Sequence, residues 1–229
     1  LSPRRIAIAI DGPAGAGKST VARMVADRFG YVYIDTGAMY RAVALAALRA
    51  GVGPEMESEL GRLVSGLDIR LEPGVTAQRV LLNGEDVTEE IRSHPVTSAV
   101  PAYAAVPAVR ARLVELQRDM AREGGVVMDG RDIGTHVLPD AELKIFMTAS
   151  VRERARRRYE ESGRAQGLTL EMLESEIAER DRRDASREIA PLVQAEDAIV
   201  LDTTSLTAEE AAERVALLAE RTIAEAGGR

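Results

Sequence analysis

The sequence has no cysteine and no tryptophan, and only two of its 30 basic residues, Lys18 and Lys144, are lysines. Without cysteine there is no disulfide, no thiolate nucleophile and no Cys-ligated metal, which fits a cytoplasmic protein. Aromatic residues make up 3% of the chain, so Val, Leu, Ile and Ala must fill the interior. No stretch approaches the roughly 18 apolar residues of a membrane span, so no membrane partner is expected. Leu1-Ser2-Pro3-Arg4-Arg5 is too short to read as a signal peptide. A formal charge of −7 argues against a general nucleic-acid binder but leaves room for a local basic pocket. Arginine is the default cation here, with 28 copies, so an arginine cluster alone is weak evidence.

What is present is an ordinary globular composition, 45% apolar and 29% charged, over 229 residues. That length suits one large domain, or one core with small insertions. Strand and helix signals alternate. Ile6 to Ile10 reads as a buried strand, and Lys18 to Phe29 as a helix with Val21, Val25 and Phe29 on one face. Tyr31 to Ile34 is a second strand and Ala38 to Ala50 a second helix. Residues 63–95 break the pattern. Leu67 to Leu71 alternates, Pro73-Gly74 turns, and Arg79 to Leu82 runs into Asn83-Gly84, a hairpin signal.

A helix is expected after Pro107 on the face Val109, Leu113, Leu116 and Met120. Strands follow at Gly125 to Met128, Leu143 to Phe146 and Ala198 to Leu201. Ser150 with Glu153 reads as a capping box opening a helix to Glu161. Thr169 begins another helix, and Thr207 with Glu210 caps the last, which ends near Gly227. The alternation predicts an α/β fold whose parallel sheet is covered by helices on both faces.

Gly12-Pro13-Ala14-Gly15-Ala16-Gly17-Lys18-Ser19 fits G-x-x-x-x-G-K-[ST] between a strand and a helix. The glycines let backbone N–H groups turn toward phosphate oxygens, and the helix N-terminus adds positive potential. Lys18 would reach the β- and γ-phosphates, and the Ser19 hydroxyl would ligate Mg²⁺. The four fixed positions coincide by chance about once in a hundred chains of this length. A phosphate loop specifies a nucleotide rather than a reaction, but no Asn-Lys-x-Asp guanine motif occurs, which weakens a switch-GTPase reading.

Three further segments carry chemistry. Asp35 to Arg41 is a strand-to-helix turn, either ordinary or a second anion pocket for Arg41. Met128-Asp129-Gly130-Arg131-Asp132 follows a buried strand, where open α/β sheets place ligands. The helix from Thr169 has an apolar stripe, Leu170, Leu173 and Ile177, that continues at the same spacing as Arg180, Asp184 and Arg187. Either the helix has left the core, with Arg180 and Asp184 paired, or this face lines a polar cleft, the reading we favour. Arg152, Arg154, Arg156, Arg157 and Arg158 make the preceding helix basic; most fit a solvated face, while Arg154 and Arg158 could meet one anion. His94 and His136 read as structural or exposed.

Taken together, Ile10 through Thr20, Asp35 to Arg41, Asp129-Gly130-Arg131-Asp132-Ile133-Gly134-Thr135 and Glu179-Arg180-Asp181-Arg182-Arg183-Asp184 closely resemble bacterial cytidylate kinases. So does the insertion Leu82-Asn83-Gly84-Glu85-Asp86-Val87-Thr88. The resemblance spans nearly the whole chain and implies a cytoplasmic, monomeric enzyme of the nucleoside-monophosphate kinase fold. It implies transfer of the ATP γ-phosphoryl group to CMP or dCMP, with Mg²⁺. It divides the chain into a core (4–62 and 103–229), an acceptor-binding insertion (63–102) and a lid (151–170). ATP would be held by Gly12 through Thr20, with Arg154 and Arg158 from the lid. CMP would be held by Thr36, Arg41, Arg110, Arg131, Asp132, Arg180, Asp184 and Arg187. Arg41, Arg131 and Arg187 would take the CMP phosphate, and Arg110 and Asp132 the base. Arg180 and Asp184 would lie near the ribose and the transferred group, and the catalytic set would be Lys18, Arg131, Arg180 and Asp184. One departure is Pro101, where the family usually has a Ser or Thr hydroxyl; that hydrogen bond to the base is missing or supplied elsewhere. Two rivals remain: a P-loop kinase for UMP or a metabolite hydroxyl, and a non-catalytic ATP-sensing module.

Overall fold

The structure, a computed structural model, describes residues 5–74, 78–163 and 167–227. The chain divides into two compact units, Leu1–Tyr33 with Glu123–Arg229, and Ile34–Arg122. Leu1 to Arg4, and residues 164–166 of the expected lid, lie outside the described residues.

The first unit is built on parallel strands. β1 (Ala7–Asp11) leads into α1 (Lys18–Phe29), and Gly30 closes that helix in the left-handed conformation. β2 (Val32–Asp35) carries the chain into the other unit. The chain returns at β6 (Val126–Gly130) and continues through β7 (Leu143–Thr148), α6 (Val151–Arg158), α7 (Leu170–Ala185), β8 (Ile199–Asp202) and α8 (Ala208–Gly227). The sheet order is β2-β6-β1-β7-β8. β1 is central, pairing in parallel with β6 (Ile10 opposite Asp129) and with β7 (Ile10 opposite Ile145). Such strands are buried on both faces, which explains their unbroken apolar runs.

Ile8, Ile10 and Ile145 from the sheet, Val21 and Val25 from α1, and Val215 and Ala219 from α8 form one core. It anchors α1, and with it the loop Gly12 to Gly17. Thr207 and Glu210 cap α8 reciprocally: Glu210 N donates to Thr207 Oγ1 at 3.1 Å and Thr207 N to Glu210 Oε2 at 2.8 Å. A satellite cluster of Ala155, Leu173 and Ile177 joins α6 to α7. Leu170 departs from the expected stripe. It is 38% exposed, because the first turn of α7 precedes that contact. The helix expected to reach Glu161 stays α-helical only to Arg158, then widens into a π-helical turn, Tyr159–Gly163.

The second unit holds α2 (Thr36–Ala50), α3 (Glu57–Ser65), β3 (Ile69–Glu72), β4 (Arg79–Leu82), β5 (Glu85–Asp86), α4 (His94–Ala104) and α5 (Pro107–Ala121). β3, β4 and β5 form the expected antiparallel sheet. Asn83 and Gly84 both have positive φ, 52° and 85°, which gives the two-residue turn between β4 and β5. Pro101 lies inside α4. Among the described residues no helix is long and apolar enough to cross a membrane.

Candidate active site

In the first unit the phosphate loop begins where β1 ends. Gly12 has φ 149°, and a Cβ there would lie 1.9 Å from the Met147 carbonyl oxygen. Only glycine lets the loop cross β7 this closely. Gly17, in the left-handed conformation, starts α1 without a side-chain cap, so the first amides of the helix have no side-chain acceptor of their own. That is the arrangement that favours an anion at a helix N-terminus.

Lys18 is buried and its Nζ donates to the Pro13 carbonyl at 2.8 Å. Burial, reinforced by the positive charge of Arg131, pushes the ammonium down to about 7, while Asp129 and Asp11 pull the other way. A phosphate beside it would restore the charged form. The Ser19 hydroxyl donates to Asp129 Oδ2 at 2.9 Å, and the Tyr33 hydroxyl donates to Asp129 Oδ1 at 2.8 Å. Asp11, buried beside them, accepts from the Ile133 and Gly134 amides at 2.8 and 2.7 Å. Desolvation raises its pKa to about 6, against the lowering effect of those two amides. These bonds fix the start of the turn that follows Asp132, itself buried.

The charged end of α7 is a pairing site. Asp184 is 1% exposed; Arg131 Nε donates to its Oδ2 at 3.0 Å and Arg187 Nη2 to its Oδ1. One carboxylate thus orients two arginines of the expected acceptor set. Arg180 is half-buried on the same helix, and its charge also depresses Lys18. Arg131, Asp184 and Arg187 are therefore brought together, with Arg131 and Arg180 within electrostatic reach of Lys18.

Arg154 is buried and committed inward. It donates to the carbonyls of Ala149 (2.9 Å) and Ala14 (3.0 Å) and forks onto both Asp181 carboxylate oxygens. It ties the phosphate loop to α6 and α7. Arg158, by contrast, is half-buried and pairs with Glu176 at 3.2 Å. Arg157, which the sequence assigned to a solvated face, donates to the Thr203 carbonyl at 2.6 Å, and its Nη1 lies 3.8 Å from where a Cβ on Gly17 would be.

In the second unit, Asp35 Oδ1 caps α2 by accepting from Ala38 N at 2.8 Å, while Oδ2 pairs with Arg41 at 3.1 Å. Among the described residues the buried Nε of Arg41 has no hydrogen-bond partner. Thr36 and Arg110 are buried, and the Arg110 guanidinium lies 5.9 Å from the Tyr40 ring centroid. His94 and His136 are exposed, as expected.

Asp129, Asp11, Tyr33 and Asp181 were not picked out as partners from the sequence. Asp11, Asp129 and Asp181 lie inside segments that the sequence singles out, which was their available signal. The links Ser19–Asp129 and Arg154–Asp181 join residues far apart in the chain and leave no periodic trace.

The sequence profile of the cytidylate kinase family matches residues 8–221. A cytidylate kinase from Geobacillus kaustophilus is 58% identical over 93% of this chain and 95% of its own. One from Exiguobacterium sibiricum is 54% identical over 95% and 98%. The crystal structure of an uncharacterized protein from Eubacterium ventriosum matches with a TM-score of 0.51 at 13% identity, covering 93% of this chain and 98% of that one. At that identity it speaks to fold alone.

Proposed function

The chain belongs to the cytidylate kinase family and transfers the γ-phosphoryl group of ATP to CMP or dCMP, and we propose that the residues described above carry that transfer. The reading rests on one observation above all: Lys18, Ser19 and the buried acids Asp11 and Asp129 gather where β1 meets α1.

Transfer to a phosphate needs alignment and charge stabilisation more than covalent help from the protein. The acceptor phosphate is largely dianionic at neutral pH, its second pKa being about 6, so no strong base is required. Lys18 takes its full charge when the β- and γ-phosphates arrive. The backbone N–H groups of Gly12 to Thr20, Pro13 excepted, hold the phosphates by hydrogen bonds. Arg154 keeps the Ala14 carbonyl turned away from them, and Arg158 exchanges Glu176 for phosphate oxygens. Residues 151–170 act as a lid.

The acceptor roles are assigned within each unit. In the second, Arg41 binds phosphate, supported by its buried Nε, and Thr36 and Arg110 contact the nucleotide. In the first, Arg131 and Arg187 bind phosphate, oriented by Asp184; Arg180 serves the transferred group and Asp132 the base. The insertion 63–102, inside the second unit, serves the acceptor.

Mg²⁺ fits the donor set. Ser19 offers a hydroxyl and Asp129 a carboxylate, hard oxygens of the kind this ion takes beside substrate phosphates. When bound it would neutralise charge on the β- and γ-oxygens. The resemblance adds a cytoplasmic monomer, which light scattering and cell fractionation can check.

The base assignment has a direct test. Cytosine offers an N4 amino donor, which a carboxylate accepts. Uracil has O4 there and would leave Asp132 facing an acceptor. Asp132→Asn should narrow the CMP/UMP ratio of kcat/KM, mainly by damaging CMP; an unchanged ratio contradicts the assignment.

A further inference from the structure

Asp129 is held from both sides. The Ser19 hydroxyl occupies Oδ2 at 2.9 Å and the Tyr33 hydroxyl Oδ1 at 2.8 Å. A carboxylate oxygen has two lone pairs, so each still has acceptor capacity. With one hydroxyl on each oxygen, however, the group cannot turn about its Cβ–Cγ bond without breaking a hydrogen bond.

The two hydroxyls are not equivalent. Ser19 belongs to the phosphate loop and is exposed, so its oxygen can itself meet a cation. Tyr33 belongs to β2. There Val32 is 55% exposed, while the alternation of the strand turns the Tyr33 ring onto the core formed by Ile8, Ile10 and their neighbours. The ring is thus fixed by packing, and only its hydroxyl reaches the polar site. Phenylalanine would fill the same space. What tyrosine adds is one donor aimed at one oxygen of Asp129.

We propose that Tyr33 is a positioning residue whose hydroxyl fixes the Asp129 carboxylate in the orientation that receives Mg²⁺. The inference rests on the assignment of Asp129 to Mg²⁺ given above. Groups that orient a metal-bearing carboxylate commonly change metal affinity 10–100-fold when removed. The role proposed for Tyr33 is toward the metal, through the Asp129 carboxylate.

The test uses Mn²⁺ as a paramagnetic stand-in and the full-length protein with ADP. Mn²⁺ affinity of the protein–ADP complex is read by electron paramagnetic resonance, and ADP affinity without metal by calorimetry. Tyr33→Phe should weaken Mn²⁺ about tenfold while metal-free ADP affinity stays within about twofold. Asp129→Asn should weaken Mn²⁺ as well, and adding Tyr33→Phe to it should change nothing further, because the tyrosine acts only through that carboxylate. Parental Mn²⁺ affinity in Tyr33→Phe overturns the inference and leaves the Asp129 assignment intact. So does an equal loss of Mn²⁺ and metal-free ADP affinity, which marks a general packing role, or full additivity of the two substitutions. Parental Mn²⁺ affinity in Asp129→Asn removes the metal assignment, and the inference with it.

Discussion

Arg131 Nε donates to Asp184 Oδ2 at 3.0 Å, and Arg187 donates to the other oxygen of the same buried carboxylate. Asp184 therefore balances two guanidinium groups and sets their direction. Removing one member of a buried ion pair leaves the rest uncompensated. Asp184→Ala should lower unfolding free energy in urea by roughly 3 kcal/mol. It should also cut kcat/KM for CMP about a hundredfold or more, since both arginines lose their orientation. Near-parental values on both counts would contradict the role given to this triad.

Lys18 is expected to take up a proton when nucleotide binds. Its free-protein pKa lies near 7, lowered first by burial and then by Arg131, so at pH 8 it is mostly neutral. Phosphate favours the ammonium, raising the pKa, and the binding reaction must then draw a proton from the buffer. At pH 8 the polyphosphate is already ionised and has no proton to release. Calorimetry of ATP binding in buffers of different ionisation enthalpy should show net uptake in the parent and none in Lys18→Met. The same variant should lose turnover by about a thousandfold or more while staying folded. Proton release, or no buffer dependence, would contradict the position of Lys18.

For Lys18 alone the stability linkage has a definite sign. A base whose folded pKa is depressed is bound by fewer protons folded than unfolded. Its contribution to stability therefore rises as pH increases from about 7 toward the ordinary lysine value of 10.5. Between those limits the parent should gain stability with pH relative to Lys18→Met, measured by urea unfolding at several pH values.

Gly12→Ala tests the loop geometry. The added Cβ meets the Met147 carbonyl at 1.9 Å and requires φ 149°, so loop and strand must both shift. A loss of about 2 kcal/mol or more in stability, with weakened ATP binding, is expected. A variant that binds ATP and melts like the parent would show that the loop does not cross β7 this closely.

Much of this was legible because local signals agreed with the fold. Lys18 to Phe29 was readable to the residue, since motif, period and Gly30 all mark the same helix. The Asn83-Gly84 turn was readable from the φ it requires. α4 was not: Pro95 and Pro101 disguise its period, and proline is a poor helix former. At the site, Asp184 announced itself by placing charge where the α7 stripe should be apolar. Its pairing with Arg131, itself singled out in the segment after β6, left no such mark, nor did the pairing of Ser19 with Asp129. Such contacts are made by strand order, β6 beside β1, which no local pattern encodes.

The most direct test is ADP release in a coupled assay with ATP, Mg²⁺ and a panel of CMP, dCMP, UMP, AMP and GMP. CMP and dCMP should be the best acceptors, UMP clearly weaker because O4 opposes Asp132, and the purines poor because they are too large for a pyrimidine site. UMP used as efficiently as CMP, or ATP binding with no ADP formed on adding CMP, would contradict the account.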